Sequence, residues 1–546
     1  MNSATTSIED ILAKLYLTDC SLHRYFPKIN LGIIKDIHIN NLFPEYHTSL
    51  MSEKAAYKEI FKYTFLFSFV KVFQIVVGII RNKVVAVLLG AEGVGIIGIL
   101  SNAVSLLQTC AGLGISQSAV RDISEANGCE NKTQFSRIIS LTNRVILFTC
   151  LLGCLVTIVL SPFLSEWTFG DKSYSFAYLW LALVVGLNIL SEGQFAILKG
   201  MRQLRALARA SMIGSIVGLV TSVPLYYFLG KSGIVPSIII SAISAVFFSN
   251  YFVRKIKYNK TNLSFKEIYK EASPMVKMGA ALMFVDFLSL FFELVIASYM
   301  RSHGGLEVVG YYRAGTTIIT SYFGIVLTAM TTDYYPRISA IHYDNTKLEV
   351  EVNRQSEVGL ILIFPIAVLF VFLSPLIIQL LYSKEFLQTI SYTDYAMLGT
   401  ILVVCSNNMG MILLAKQAAK IFTVYSFTHR ILFVPIYIVF YNLYGLTGLG
   451  ISYMLNIVVQ FLAYGLINRF KYKIKLKRRL NVQLIIVLAT VIFTIFLRKI
   501  DAASIRYLLG SCALLFSCLY TYKLMKEVMN INPLGYFQSR KLKRNN

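Results

Sequence analysis

From about residue 64 the chain alternates apolar stretches of roughly twenty residues with short polar ones, almost to its end. A stretch of that length lets an α-helix cross the hydrocarbon core of a bilayer. Fourteen can be marked, among them Thr64–Gly90, Val94–Gly114, Met278–Met300, Val308–Met330 and Ala502–Leu524. None has the dyad alternation of a barrel strand, and backbone groups in lipid must be satisfied within their own segment, so the pattern predicts helices. The expected fold class is an all-α polytopic membrane protein of about 14 transmembrane helices.

Polar positions divide this pattern. Basic residues gather in alternate loops: Lys199, Arg202, Arg205 and Arg209 after the fourth span, seven between Arg254 and Lys277, and seven between Arg469 and Arg479. The opposite loops, such as SPFLSEWTFGDKS and YSKEFLQT, are short and nearly free of Lys and Arg. Positive-inside charge then places both termini in the cytoplasm of a multi-pass protein. Val94-Gly95 with Ile123-Ser124, and Val309-Gly310 with Ile338-Ser339, match at one constant offset. Four identities are little in isolation, but the long basic loop divides the chain at the same place. The expected organisation is a six-helix lobe over 63–252, a basic linker over 253–277, a second six-helix lobe over 278–470, a basic loop with two further helices over 471–525, and a basic tail over 526–546. Residues 1–62 form an N-terminal cytoplasmic segment. Its first 50 residues lack periodicity, and Met51 opens MSEKAAYKEIFKYTF, a natural start, so those 50 residues read as a start placed too early.

Composition agrees with the pattern: of 546 residues 56% are hydrophobic and 15% charged, and no segment is left that could form a soluble enzymatic domain. The net charge of +24 could suit a nucleic acid, but its confinement to short loops without interleaved aromatics speaks for a membrane surface. The eight cysteines form no CxxC or Cys/His group and read as free thiols. There is no phosphate-binding loop, metal-ligand spacing, cofactor motif or nucleophile elbow.

Candidate chemistry therefore lies in charges that interrupt the spans. In VVGIIRNKVVAVLLGAEGVG, Arg81 and Lys83 separate two runs that both belong in hydrocarbon, where a cation costs roughly 2.5–3.5 kcal/mol. On a helical wheel Lys71, Gln74, Gly78 and Arg81 fall within about 80° of one another, with Lys83 on the far side. Either this stripe lines a hydrated cavity and holds an anion, or Lys71 snorkels and Arg81 pairs with a structural carboxylate. Asp286 and Glu293 stand seven residues apart on one face of the seventh span. They should face the bundle interior, as ion-pair partners of the first-span cations or as carriers of coupling ions. Arg313, followed by Thr316, Thr317 and Thr320, is either an interface anchor or a sugar or phosphate contact, while Lys416 and Arg430 read as positive-inside markers. GLGIS occurs at Gly112–Ser116 and Gly448–Ser452, where small residues allow close helix packing.

Several segments, in order, carry a family resemblance: RNKVVAVLLGAEGVGIIGI into AGLGISQSAVRDIS, ILKGMRQLRALARASMIGSIVG, VGYYRAGTTI into DYYPRISAI, and LLYSKEF leading to ILLAKQAAKIF. Over about residues 55–470 the chain resembles the bacterial lipid-linked oligosaccharide flippases, the O-antigen and enterobacterial common antigen translocases of the polysaccharide transporter family within the MOP superfamily. The resemblance implies a two-lobed bundle in the inner membrane, alternating access, and an undecaprenyl-diphosphate-linked oligosaccharide moved from the cytoplasmic to the periplasmic leaflet. It implies no enzymatic activity and no cofactor, and as partners the polyprenyl-linked sugar, membrane lipids and other membrane proteins of polysaccharide assembly. It places a cavity-facing Arg in the first span, here Arg81. A MATE-like cation-coupled drug exporter is the nearest alternative, and Asp286 and Glu293 keep it open, although such a cavity should be acidic. A membrane-bound polymerase or ligase fits less well, since the longest outer loop has about fifteen residues around Ser161–Ser175.

Overall fold

Glycines at helix breaks organise the structure, a computed structural model that describes residues 53–128, 132–256, 258–259, 261 and 264–529. Its helices are α1 (Glu53–Gly112), α2 (Ile115–Gly128), α3 (Lys132–Phe169), α4 (Ser175–Gly200), α5 (Leu204–Leu229), α6 (Ile234–Val253), α7 (Phe265–Thr316), α8 (Gly324–Ala340), α9 (Asn345–Leu381), α10 (Ile390–Ala415), α11 (Ala419–Tyr472), α12 (Arg478–Leu497) and α13 (Ala503–Met529). Among the described residues there is no strand. The first fifty residues, expected to be a misplaced start, lie outside the described ones.

A straight helix as long as α1, 60 residues, would run about 90 Å, three times the hydrocarbon thickness. It is broken at Gly90, where φ is 67° and ψ −168°, a backbone region that essentially only glycine adopts and that costs other residues roughly 1–3 kcal/mol. Helix α7 breaks in the same way at Gly305 (φ 81°, ψ 176°), and α11 at Gly445 (φ 58°, ψ −134°). By length and apolarity nine helical runs among the described residues qualify to cross a membrane, against the fourteen spans expected. The count is lower in part because single runs such as 69–112 and 420–472 contain a break and so join two expected spans.

The breaks repeat. Gly305 follows Gly90 by 215 residues, and Gly445 follows Gly230 by the same 215, with Gly230 at φ 57° and ψ −133°. Arg202 and Gln417, again 215 apart, both sit at φ 54°. Contacts between the halves obey the same rule. A Cβ on Gly95 would lie 2.1 Å from the Leu306 carbonyl oxygen, and one on Gly310 would lie 2.0 Å from that of Ala91. Lys83 Nζ donates to the Tyr382 carbonyl at 2.5 Å, and Ser298 Oγ donates to the Trp167 carbonyl at 2.5 Å. Each residue in one contact becomes its counterpart in the other by adding or subtracting 215. The two helical halves are therefore related by a pseudo-two-fold axis, and α1 packs against α7 beside it. The Val94-Gly95 and Val309-Gly310 matches belong to this interface because only glycine permits so close a backbone approach.

Local signals start and stop the helices. Ser264 caps α7 in a reciprocal box with Glu267, and the Asp344 side chain accepts from the first amides of α9. In the GLGIS segments, a Cβ on Gly114 would meet the Gly279 carbonyl at 2.1 Å and one on Gly448 that of Phe440 at 1.8 Å. The appended α12 and α13 pack on α9. Arg498, just past α12, fastens them with two bonds to Asp394 (2.6 and 2.8 Å) and one to the Val371 carbonyl (2.8 Å). Cys110, Cys150, Cys154, Cys405, Cys512 and Cys518 are free thiols.

Candidate functional site

Among the cavities, one in each half takes a charged side chain from a membrane-spanning helix. The N-terminal one, of 340 Å³, is formed by α1, α4, α5 and α6. From α1 it takes Gln74, Val77, Gly78 and Arg81, at the i, i+3, i+4, i+7 spacing of one helix face. Small residues of α5 and α6 complete it, including Ser211, Gly214, Ser215, Gly218 and Ser241. Arg81 is the one charged residue of its lining, and among the described residues no ion pair or hydrogen bond engages its guanidinium.

The C-terminal cavity, of 560 Å³, lies among α7, α10 and α11. At its centre Glu293 accepts a hydrogen bond from Arg313 Nη1 at 2.9 Å and another from Asn102 Nδ2, of the opposite half, at 3.2 Å. Arg430 and Asn456 add polar groups, and Tyr312, Tyr392, Tyr437, Tyr453 and Phe433 supply aromatic walls. Thr316 and Thr317 donate back to the Arg313 carbonyl at 3.0 and 2.8 Å, and the chain passes into a π-helical turn over Thr317–Tyr322. Such turns widen a helix and recur at functional sites.

The two cavities occupy equivalent places. Gln74 and Ser289, Val77 and Phe292, Gly78 and Glu293, Arg81 and Ile296, Ser215 and Arg430, Gly218 and Phe433, and Ser241 and Asn456 are lining pairs that all stand 215 residues apart.

The other expected site residues fall elsewhere. Lys71 is exposed and outside both linings, as is its repeat equivalent Asp286, whose charge reaches Arg430. Lys83 is no cavity cation: its ammonium donates to the carbonyls of Gln379 (2.9 Å) and Tyr382 at the end of α9, where a cation meets the negative end of a helix dipole. Glu385 makes the complementary contact, accepting from the Ala91 amide at 3.2 Å just after the Gly90 break. Glu293 is paired with Arg313 rather than with a first-span cation. Arg430, expected as a loop marker, lines the cavity, because α11 already begins at Ala419 and places it about three turns in.

Residues 84–391 match the family described as "Polysaccharide biosynthesis protein", more than half of the chain. The chain belongs to this family. Within the polysaccharide biosynthesis match fall Asp286, Glu293 and Arg313, while Arg81 lies three residues before it and Arg430 beyond it. Over 160 residues the chain is 25% identical to the Lipid III flippase of Escherichia coli (strain K12), and it is equally similar to that of Shigella flexneri. The matched region covers 29% of this chain and 37% of the length of those relatives. Among solved structures, the lipid II flippase MurJ in an inward closed conformation superposes with a TM-score of 0.60 at 15% identity, covering 85% of this chain and 99% of that one. An inward-facing multidrug resistance MATE family transporter of the MOP superfamily gives 0.58 at 16%, covering 74% and 98%. At these identities the likeness is one of fold, and it shows an all-helical membrane architecture of the MOP type.

Proposed function

We propose that this member of the polysaccharide biosynthesis family is a flippase for undecaprenyl-diphosphate-linked oligosaccharide of the O-antigen type. It carries the lipid from the cytoplasmic to the periplasmic leaflet of the inner membrane by alternating access. One observation carries the reading: Arg81 stands in a cavity of small residues whose lining holds no carboxylate among the described residues. A guanidinium kept in such a place suits a ligand that brings its own negative charge, and a diphosphate can accept bidentate hydrogen bonds from it. Positive-inside charge puts the basic loops in the cytoplasm and the Gly90 and Gly305 breaks at the periplasmic end. There Lys83, Ser298 and Glu385 join the halves, so release to the periplasm requires these contacts to part. The prenyl chain stays in lipid while the headgroup crosses.

A drug-exporter reading draws on the MATE likeness and on Glu293. That carboxylate is already neutralised by Arg313, which leaves little to attract an organic cation. The test is surface display of the glycan by cells carrying Arg81→Ala, read together with protein level in the membrane. Display falls strongly at a normal level, and Arg81→Lys restores it in part, since an ammonium lacks the planar fork. Full display in Arg81→Ala at a normal level refutes the role of Arg81. A fall in level, regained on neutralising a carboxylate, would mark Arg81 as a structural partner instead.

A further inference from the structure

We infer that the C-terminal cavity is a saccharide-reading pocket, engaging the sugar of the translocated lipid while the N-terminal cavity holds its diphosphate. This rests on the flippase reading and adds the class of group that each cavity takes.

The lining decides between ligands. A sugar offers hydroxyl groups at fixed spacing and an apolar face of C–H bonds, so its site needs flat aromatic walls and polar groups held in place. Phe433, Tyr437 and Tyr453 provide the walls. Arg430 and Asn456 provide polar groups on two limbs of α11, and Glu293 is fixed by its bonds to Arg313 and Asn102. At 560 Å³ the space falls within the ~300–1,000 Å³ typical of small-molecule sites. Other occupants fit poorly. A prenyl tail would desolvate three charged side chains without replacing their hydrogen bonds. A bare cation has to displace the Arg313 guanidinium from Glu293. A diphosphate meets the Glu293 carboxylate here, whereas the lining around Arg81 holds none.

Comparison within the molecule points the same way. Where the C-terminal cavity has Glu293, Arg430 and Phe433, the N-terminal one has Gly78, Ser215 and Gly218. The same backbone site has thus been furnished for hydrogen bonding and ring stacking in one half and left smooth around a single cation in the other. Because Asn102 crosses from the N-terminal half to Glu293, the pocket lies against the interface, where a headgroup engaged by both halves would pass. A site whose buried polar groups are matched to hydroxyls discriminates strongly against ligands that lack them.

The experiment measures binding to the purified full chain by native mass spectrometry with two probes. One is undecaprenyl diphosphate without sugar, and the other is the diphosphate-linked oligosaccharide extracted from cells that naturally make the protein. The wild type binds the sugar-bearing lipid more tightly. Arg430→Gln and Asn456→Ala each weaken that binding, roughly tenfold for the charged contact, and leave the bare lipid unchanged, which also shows that the variants are folded. Arg81→Gln weakens both probes alike. Equal wild-type affinity for the two probes overturns the saccharide pocket and leaves the flippase reading standing. So does an equal loss for both probes in Arg430→Gln, or no loss in either variant. If the wild type binds neither probe, the flippase reading falls and the pocket with it.

Discussion

The N- and C-terminal halves share their breaks to within a few degrees at Gly230 and Gly445 (φ 57° and 58°), yet their cavities have almost no side chain in common. Position 78 is glycine where 293 is glutamate, and position 81 is arginine where 296 is isoleucine. The difference separates two kinds of constraint. Around the pseudo-two-fold axis each half must fit the other, so a backbone feature lost in one half breaks the shared interface. Most of the cavity lining is not held to that match, and its side chains differ. On the flippase reading proposed above, symmetry belongs to the machinery of opening and closing, and asymmetry to recognition.

Substitutions at equivalent positions should expose that division. The largest effect is expected at the axis. Gly95→Val and Gly310→Val each drive a side chain into a carbonyl oxygen (of Leu306 and Ala91) that lies about 2 Å from the Cβ position. Both should cost about 3 kcal/mol, seen as matching losses of folded protein in detergent melting. If one is tolerated, the interface is not symmetric in energy. By contrast Gly78→Ala, whose added methyl meets nothing within 4 Å, leaves the melting temperature nearly unchanged.

Next comes the charge pair that only the C-terminal half possesses. Glu293→Gln removes the negative charge that faces the Arg313 guanidinium at 2.9 Å and should destabilise by about 1.5–3 kcal/mol. Adding Arg313→Gln should recover part of the loss, as a double-mutant cycle in thermal unfolding will record. Strictly additive losses would show that the pair contributes no coupling.

Smaller again is Lys83→Ala. Removing the ammonium from the end of α9 should cost about 1 kcal/mol and loosen the contact between halves, read as faster cysteine labelling across that end. Unchanged labelling would show that Lys83 does not help to hold the halves together. The smallest effect belongs to Lys71→Gln, an exposed site outside both cavities, with a change within about 0.5 kcal/mol. A loss of transport in this variant would extend the Arg81 cavity along the helix.

Much of the architecture was legible in the sequence because hydrocarbon imposes helices of fixed length and basic residues mark their ends. The repeat left scattered identities, among them the glycine pairs Gly90 and Gly305, Gly95 and Gly310, and Gly230 and Gly445, since the axis constrains backbone geometry more than side chains. Arg81 stood out because it interrupts an apolar run and shares a helix face with Gln74 and Gly78. Arg430 did not: a cation near a basic end resembles a topology marker until the helix start is known. Tyr437 and Tyr453 are lost in hydropathy, which counts them as apolar span. The partners of Lys83 were unreadable for another reason. They are backbone carbonyls nearly 300 residues distant, and a carbonyl carries no sequence signature.

The central claim, that the chain moves a diphosphate-linked sugar lipid by way of Arg81, is tested most directly in reconstituted vesicles. The lipid-linked oligosaccharide is placed in one leaflet, and its appearance in the other is followed by the access of a lectin or periodate. Vesicles with the wild-type chain should expose the sugar in the second leaflet, empty vesicles should not, and Arg81→Ala at equal protein content should expose it far more slowly. Transfer no faster than in empty vesicles, or equal transfer by wild type and Arg81→Ala, would contradict the account.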